Sequence, residues 1–250
     1  MRAGLKSALL LAMVFHASNA DQALAITGPS ETGAPFGDRI VMVLTRGGEG
    51  SGFCTGIVVA PSLVLTAAHC LHEARDTLVH FRDAEGRPVL IPVAAVAAHP
   101  DYRPDAVRKR IVSVDLGLIR TLDPLPASFH PAQLAKADSD GPALGEAVWI
   151  AGFGLAREGE PKTGGVLRAA RLEVTAPLSQ VLARETAEEG LGACSGDSGA
   201  PVFAADRETV VAIVAWTAGA AGRKCGRLSE GPRLAPLRGW IEETATQIAR

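Results

Sequence analysis

Three short segments of the 250-residue chain carry the residue types of nucleophilic catalysis. They are Leu65-Thr66-Ala67-Ala68-His69-Cys70, Val114-Asp115-Leu116-Gly117-Leu118-Ile119, and Cys194-Ser195-Gly196-Asp197-Ser198-Gly199-Ala200-Pro201-Val202. A serine hydroxyl is a weak nucleophile near neutral pH and needs a base within hydrogen-bond reach. An imidazole base in turn needs a carboxylate to hold its tautomer. His69, Asp115 and Ser198 supply those groups. Singly, each has a plainer reading: a core histidine at a strand end, a turn carboxylate, a tight glycine turn. Their joint agreement in type, order and flanking context favours catalysis. All six histidines precede Ser198, whereas the α/β-hydrolase order places the histidine after the serine. The pentapeptide Gly196-Asp197-Ser198-Gly199-Ala200 also lacks the last glycine of G-x-S-x-G. Asp101, in His99-Pro100-Asp101-Tyr102, is a rival acid; without the apolar neighbours that flank Asp115, it is expected on a loop.

Such groups need strands to position them. Short apolar or alternating runs between glycine and proline breakers recur at 40–44, 53–59, 63–66, 77–81, 89–97 and 116–120, then at 147–153, 166–175, 201–204 and 210–217. Their spacing predicts antiparallel β structure in two halves, joined by a connector over 123–145. Leu237, Trp240, Ile241 and Ile248 follow helical spacing and predict an amphipathic terminal helix. A second, short helical piece is expected over 180–189.

The N-terminus reads as an export signal: Arg2 and Lys6, an apolar run over 8–15, then small residues at Ala17, Ser18 and Ala20. The run is short of the ~20 residues that span a bilayer, and no later segment offers a span. Two cleavage frames compete, after Ala20 or after Ala25. Export makes two disulfides the expected use of the four cysteines, with three connectivities open. His69, Cys70 and His72 lack a second ligand pair at zinc spacing, so no metal is expected. Lys and Arg number 25 against 27 Asp and Glu, a net charge of −2. No global basic field is present to hold a phosphate backbone or an anionic membrane, which excludes nucleic-acid binding as the organising function. The run Arg108-Lys109-Arg110 is read as a solvated loop.

The motifs T-A-A-H-C and G-D-S-G-x-P, in that order, resemble the chymotrypsin/trypsin family of serine proteases, in its secreted, bacterial-type form, over nearly everything from Ile26 to Arg250. The resemblance implies an all-β fold of two packed six-stranded antiparallel β-barrels with a C-terminal α-helix. On that plan residues 1–25 are a signal peptide with a short propeptide, 26–130 the first barrel, 131–235 the second, and 236–250 the helix. Ser198 would be the nucleophile, His69 the general acid/base and Asp115 its orienting carboxylate. The backbone N–H groups of Gly196 and Ser198 would form the oxyanion hole, where one donor is worth about 10² to 10³ in rate. The implied disulfides are Cys54–Cys70 and Cys194–Cys225. A new α-amino group at Ile26 would pair with Asp197. If so, a buried Asp197 without that partner costs about 3 to 5 kcal/mol, enough to disorder the turn.

The same resemblance places the primary substrate pocket at Gly192, Ala193, Ala215, Trp216, Thr217 and Ser229. Gly192 brings no carboxylate to its base and Thr217 narrows it, so small or medium uncharged side chains are expected. Ala215 removes a hydroxyl that commonly supports the acid of the triad. Arg223, Lys224 and Arg227 offer a further reading as contacts for an acidic substrate residue, against a solvated loop. The implied activity is a secreted, extracellular or periplasmic, serine endopeptidase acting through an acyl-enzyme without cofactor or metal. Expected partners are protein or peptide substrates and protein inhibitors, with the chain monomeric and free of membrane after signal removal. A protease-like binding module with negligible turnover, and an esterase using the same triad, are the competing readings.

Overall fold

The structure is a computed structural model and describes residues 26–47, 50–109, 111–177, 179–187 and 190–249. The export segment and both cleavage frames therefore lie outside the described residues. The first strand, β1 (Glu31–Thr32), joins the second half of the molecule, and six others form the first half: β2 (Ile40–Gly47), β3 (Gly50–Ala60), β4 (Leu63–Thr66), β5 (Thr77–Arg82), β6 (Pro88–Ala98) and β7 (Gly117–Thr121). They close into a barrel in the order β2-β3-β4-β7-β6-β5. Closure leaves no edge to protect. β5 shows how the residues choose it: Thr77, Val79 and Phe81 are buried and alternate with the more exposed Leu78, His80 and Arg82, the period of a strand with one face inward.

The second half holds β8 (Gln133–Leu134), β9 (Ala147–Gly152), β10 (Arg168–Val174), β11 (Leu182–Thr186), β12 (Pro201–Phe203), β13 (Thr209–Ile213), β14 (Trp216–Ala218) and β15 (Leu228–Pro232). With β1 they make one nine-stranded sheet along the path β14-β15-β11-β10-β9-β12-β13-β8, β1 pairing with β10. A bridge between Ala212 and Arg233 ties β13 to the chain just past β15, so the sheet rolls round on itself. Two elements depart from the expected ones. The piece over 180–189 is not helical: its described part contains β11, paired on both sides by β10 and β15. Tertiary pairing overrides a propensity that is weak in either direction. The run 210–217 is two strands, because the backbone changes partner midway. Val214 N–H donates to Ala200 O at 2.8 Å, and Ala215 N–H donates to Glu230 O at 2.9 Å.

Between the halves lies a shared core in which Ile57, Leu65 and Leu118 of the barrel meet Trp149, Phe203 and Ile213 of the sheet. A short helix, α1 (Ala106–Lys109), precedes β7, and α2 (Arg238–Ile248) closes the chain. α2 buries Ile241 and packs Trp240 and Ile248 on the shared core, against β6 and β7. The C-terminal segment thus crosses back to the first barrel and clamps it to the second.

Candidate active site

β4 delivers the chain into a single 3-10 turn, Ala68–Cys70, in which Ala68 and Cys70 are buried and His69 is left facing outward. Cys70 is bridged to Cys54 in β3, so the turn cannot swing away from the barrel. Asp115 lies two residues before β7, between the buried Val114 and Leu116. One of its oxygens accepts the backbone N–H of His69 at 2.9 Å, and the other lies 2.7 Å from His69 Nδ1. A carboxylate on Nδ1 holds the proton there and leaves Nε2 free to act as a base. The Asp115 side chain is 17% exposed and the His69 ring 35%, so the acid is sheltered while the base reaches solvent. Tyr102 stands beside them: burial, and then the Asp115 charge, push its phenol above the usual range.

Ser198 sits at the apex of a turn that glycine makes possible. Gly196 and Gly199 take φ of +96° and +81°. A side chain on Gly199 would strike Thr55 O and Thr66 Oγ1. Asp197 N–H donates to Cys194 O at 3.0 Å, and Ala200 N–H donates to Asp197 O at 2.8 Å, so the turn is internally closed. Cys194, bridged to Cys225, anchors its start. Among the described residues neither Gly196 N–H nor Ser198 N–H is given to a protein acceptor. The Ser198 hydroxyl makes no hydrogen bond among the described residues either.

Two residues that the sequence reading passed over bring the segments together. Thr55 of β3, fully buried, donates its N–H to Ser198 O at 2.8 Å and its hydroxyl to Gly196 O at 2.9 Å, and accepts Phe153 N–H at 3.1 Å. Thr66, also fully buried, donates to Thr55 O at 2.8 Å from the end of the strand that leads to His69. Thus one barrel strand registers the nucleophile turn while its neighbour carries the base. The position of Thr55 beside Cys54 is the signal that could have marked it.

Asp197 is fully buried. It accepts Gly154 N–H at 2.8 Å and Cys194 N–H at 2.9 Å. Burial nevertheless pushes its carboxyl up to about 7, against the pull of those two donors. Ile26 is fully buried in the apolar cluster that includes Ala193 and Ala200, with φ of +59°, a strained value for a β-branched residue. Next to it, Thr27 and Gly192 exchange backbone hydrogen bonds at 3.0 and 3.2 Å. Gly192 and Ala193 are buried, Trp216 is 39% exposed, and Ser229 is buried. Thr217 donates its hydroxyl to Lys224 O at 2.7 Å.

A cleft of about 670 Å³ lies between the halves, lined by His69, Tyr102, Asp115, Leu182, Trp216 and Glu230. Asp101 lies outside the triad, with its side chain 68% exposed and 3.7 Å from Arg103. Arg108 and Lys109 of α1 pair with Asp105 at the surface. Arg223, Lys224 and Arg227 are exposed. Glu158 caps the Lys224 backbone N–H, which marks an ordinary solvated loop. Among the described residues the one grouping of metal-ligand atoms is Cys54, His69 and Cys70, and both sulfurs are spent in a disulfide.

This geometry can be set beside known proteins. Ovochymase of Halocynthia roretzi is 28% identical over 195 residues, and human serine protease 56 is 29% identical over 221. The chain covers only 12% and 35% of their lengths. A trypsin of Saccharopolyspora erythraea is 29% identical over 69% of this chain and 79% of its own. Among solved structures, one entitled GrC superposes with a TM-score of 0.72 at 22% identity, covering 88% of this chain and all of that one. A scabies mite inactivated protease paralogue superposes at 0.69 with 20% identity, covering 90% of this chain and all of that one. The trypsin family model matches residues 31–230. With most of its length accounted for by that match, and the relatives in agreement, the chain belongs to the trypsin family of serine proteases.

Proposed function

We propose that the chain, over residues 26–250, is a secreted serine endopeptidase that hydrolyses protein or peptide substrates through His69, Asp115 and Ser198. Its family supports a peptidase function. The observation that carries the reading is the double hold of Asp115 on His69, at the backbone N–H and at Nδ1, on the wall of the cleft that both residues line. His69 Nε2 takes the Ser198 proton as Oγ attacks the substrate carbonyl. The resulting oxyanion is received by the N–H groups of Gly196 and Ser198. His69 then returns the proton to the leaving amine, and water releases the acyl group by the same route. No metal or organic cofactor enters these steps. Labelling of Ser198 by a fluorophosphonate probe tests this: label lost in Ser198→Ala is expected, and no labelling of the chain beginning at Ile26 would overturn the reading.

Processing before Ile26 belongs to the same proposal. Asp197 lacks a cation among the described residues, and burial holds it against ionisation. Cutting the bond before Ile26 releases the strained φ of that residue and creates the ammonium group that a buried carboxylate lacks. Among the described residues no helix is long and apolar enough to cross a membrane. Release as a monomer, and recognition by protein inhibitors that mimic a substrate, complete the reading. On Gly192 and Thr217 alone the primary pocket fits small or medium uncharged side chains. A second reading, a binding module of negligible turnover, draws on Ala215, which gives Asp115 no hydroxyl donor, and on the inactivated paralogue among the fold neighbours. The same labelling experiment separates the two. An esterase activity on small acyl groups would use the same residues and would show as ester hydrolysis without peptide cleavage.

A further inference from the structure

β14, β15 and β11 lie side by side, and their register sets Thr217 opposite Ser229 and Ser229 opposite Glu185. Residues directly opposed across strands share a face of the sheet. The neighbouring row, Trp216, Glu230 and Arg184, presents the other face and lines the open cleft beside His69, with Arg184 and Glu230 ion-paired. The Thr217 row is enclosed: Glu185 and Ser229 are each 1% exposed. Its upper end is closed by the segment before the nucleophile turn. Gly190 N–H donates to Gly226 O at 2.8 Å, Gly226 N–H donates to Ala193 O at 3.3 Å, and Gly192 packs against the Gly226–Arg227 backbone. Within this enclosure Glu185 Oε2 and Ser229 Oγ are buried with no hydrogen-bond partner. A pair of unsatisfied polar side chains in one buried row is costly to keep. It implies a partner that arrives from outside.

We propose that Glu185 is a specificity-determining residue of the primary pocket, supplying from β11 the carboxylate that position 192 lacks, so that the pocket takes a lysine or arginine side chain whose cation bonds Glu185 and the Ser229 hydroxyl together. This rests on the reading of Ser198 as the nucleophile, and of Ser229 as a pocket wall. It replaces the expectation of uncharged side chains drawn from Gly192. Thr217, held to Lys224 O at the rim, admits a slender aliphatic cation more readily than an aromatic ring. Burial, and then the Glu230 charge, push the Glu185 carboxyl up to about 8. Glu230 is itself paired with Arg184 on the other face of the sheet, and Arg227 is exposed. Near pH 7 the Glu185 carboxyl is therefore largely protonated, and a cationic side chain that reaches it must draw off that proton.

Three measurements test the proposal. The ratio of kcat/KM for a peptide with lysine at the cleaved position to one with norleucine is expected to rise about tenfold per pH unit up to about 8 and then level. Any titration outside the pocket, that of Asp197 included, affects both substrates alike and cancels in that ratio. Glu185→Gln is expected to lower the ratio at pH 8.5 by at least about 100-fold and to flatten its pH dependence, and Glu185→Asp to retain a reduced pH-dependent preference. A thermal melt of each variant registers folding. A flat ratio, or one that Glu185→Gln leaves untouched, overturns the proposal. Agmatine, an aliphatic guanidinium, supplies a readout that needs no turnover. Its binding to the chain beginning at Ile26 is expected to strengthen toward pH 8 and to be lost in Glu185→Gln. If Ser198 resists labelling, the peptidase reading fails, while agmatine binding still decides for Glu185 and its absence decides against it.

Discussion

The two halves of the molecule handle their buried polar groups in opposite ways. On the barrel side, Asp115 spends both oxygens on His69, Thr55 gives its hydroxyl to Gly196 O in the turn that carries Ser198, and Thr66 gives its hydroxyl to Thr55 O. On the sheet side, among the described residues, Asp197 holds two N–H groups but no cation, Glu185 Oε2 and Ser229 Oγ have no partner, and the N–H groups of Gly196 and Ser198 bond no protein acceptor. His69 is thus held in place by the fold itself, whereas on the proposed function the second half is completed by groups that come from elsewhere. Preorganised dipoles cost no rearrangement at the moment of reaction, while the unsatisfied half supplies the selectivity.

This contrast can be broken experimentally, and the severest break lies on the barrel side. Asp115→Asn leaves the shape intact but lets Nδ1 lose its proton acceptor; kcat of the processed enzyme is expected to fall about 10⁴-fold, measured on any cleaved peptide. A loss under tenfold would mean that the barrel side is not preorganised. Next in size is the Asp197 charge. The unfolded carboxyl titrates near 3.8 and the folded one near 7, so between those values the unfolded state has released a proton that the folded state retains. Stability of the unprocessed chain should therefore fall as pH rises from about 4 to 7, by about 4 kcal/mol. Urea unfolding across that range should show the slope, and both Asp197→Asn and cleavage before Ile26 should remove this part of it. A smaller effect is expected of Thr55→Val, which strands Phe153 N–H and frees Gly196 O at a cost of about 1 to 3 kcal/mol, read as a lower denaturation midpoint. Smallest is Ala215→Ser: one hydroxyl restored toward Asp115 is worth about 1 kcal/mol, so kcat should rise roughly fivefold.

The most legible parts of the sequence were the three segments that carry the candidate triad. His69, Asp115 and Ser198 each stand in a short segment whose neighbours are dictated by local geometry: apolar flanks that bury the acid, glycines that permit the turn. Strands such as β5 show their alternation openly. What the chain order concealed was relational. β11 carries no strong pattern of its own and is a strand because β10 and β15 pair with it on either side. The run 210–217 reads as one strand because nothing local marks the change of partner at Val214. Glu185 escaped notice for the same reason, since its meaning lies in the residue opposite it, 44 positions later at Ser229. Thr55 looked like an ordinary neighbour of Cys54, its partners at Gly196 and Ser198 invisible until the halves were apposed.

Thr55 carries one last consequence. Because a strand of the first barrel holds the backbone of the nucleophile turn through a peptide group and a hydroxyl, the halves have no independent way to come apart: separating them dissolves the turn at once. Heat or denaturant should therefore meet a single cooperative unit in which loss of Ser198 reactivity coincides with loss of barrel structure, with no surviving half-molecule on the way.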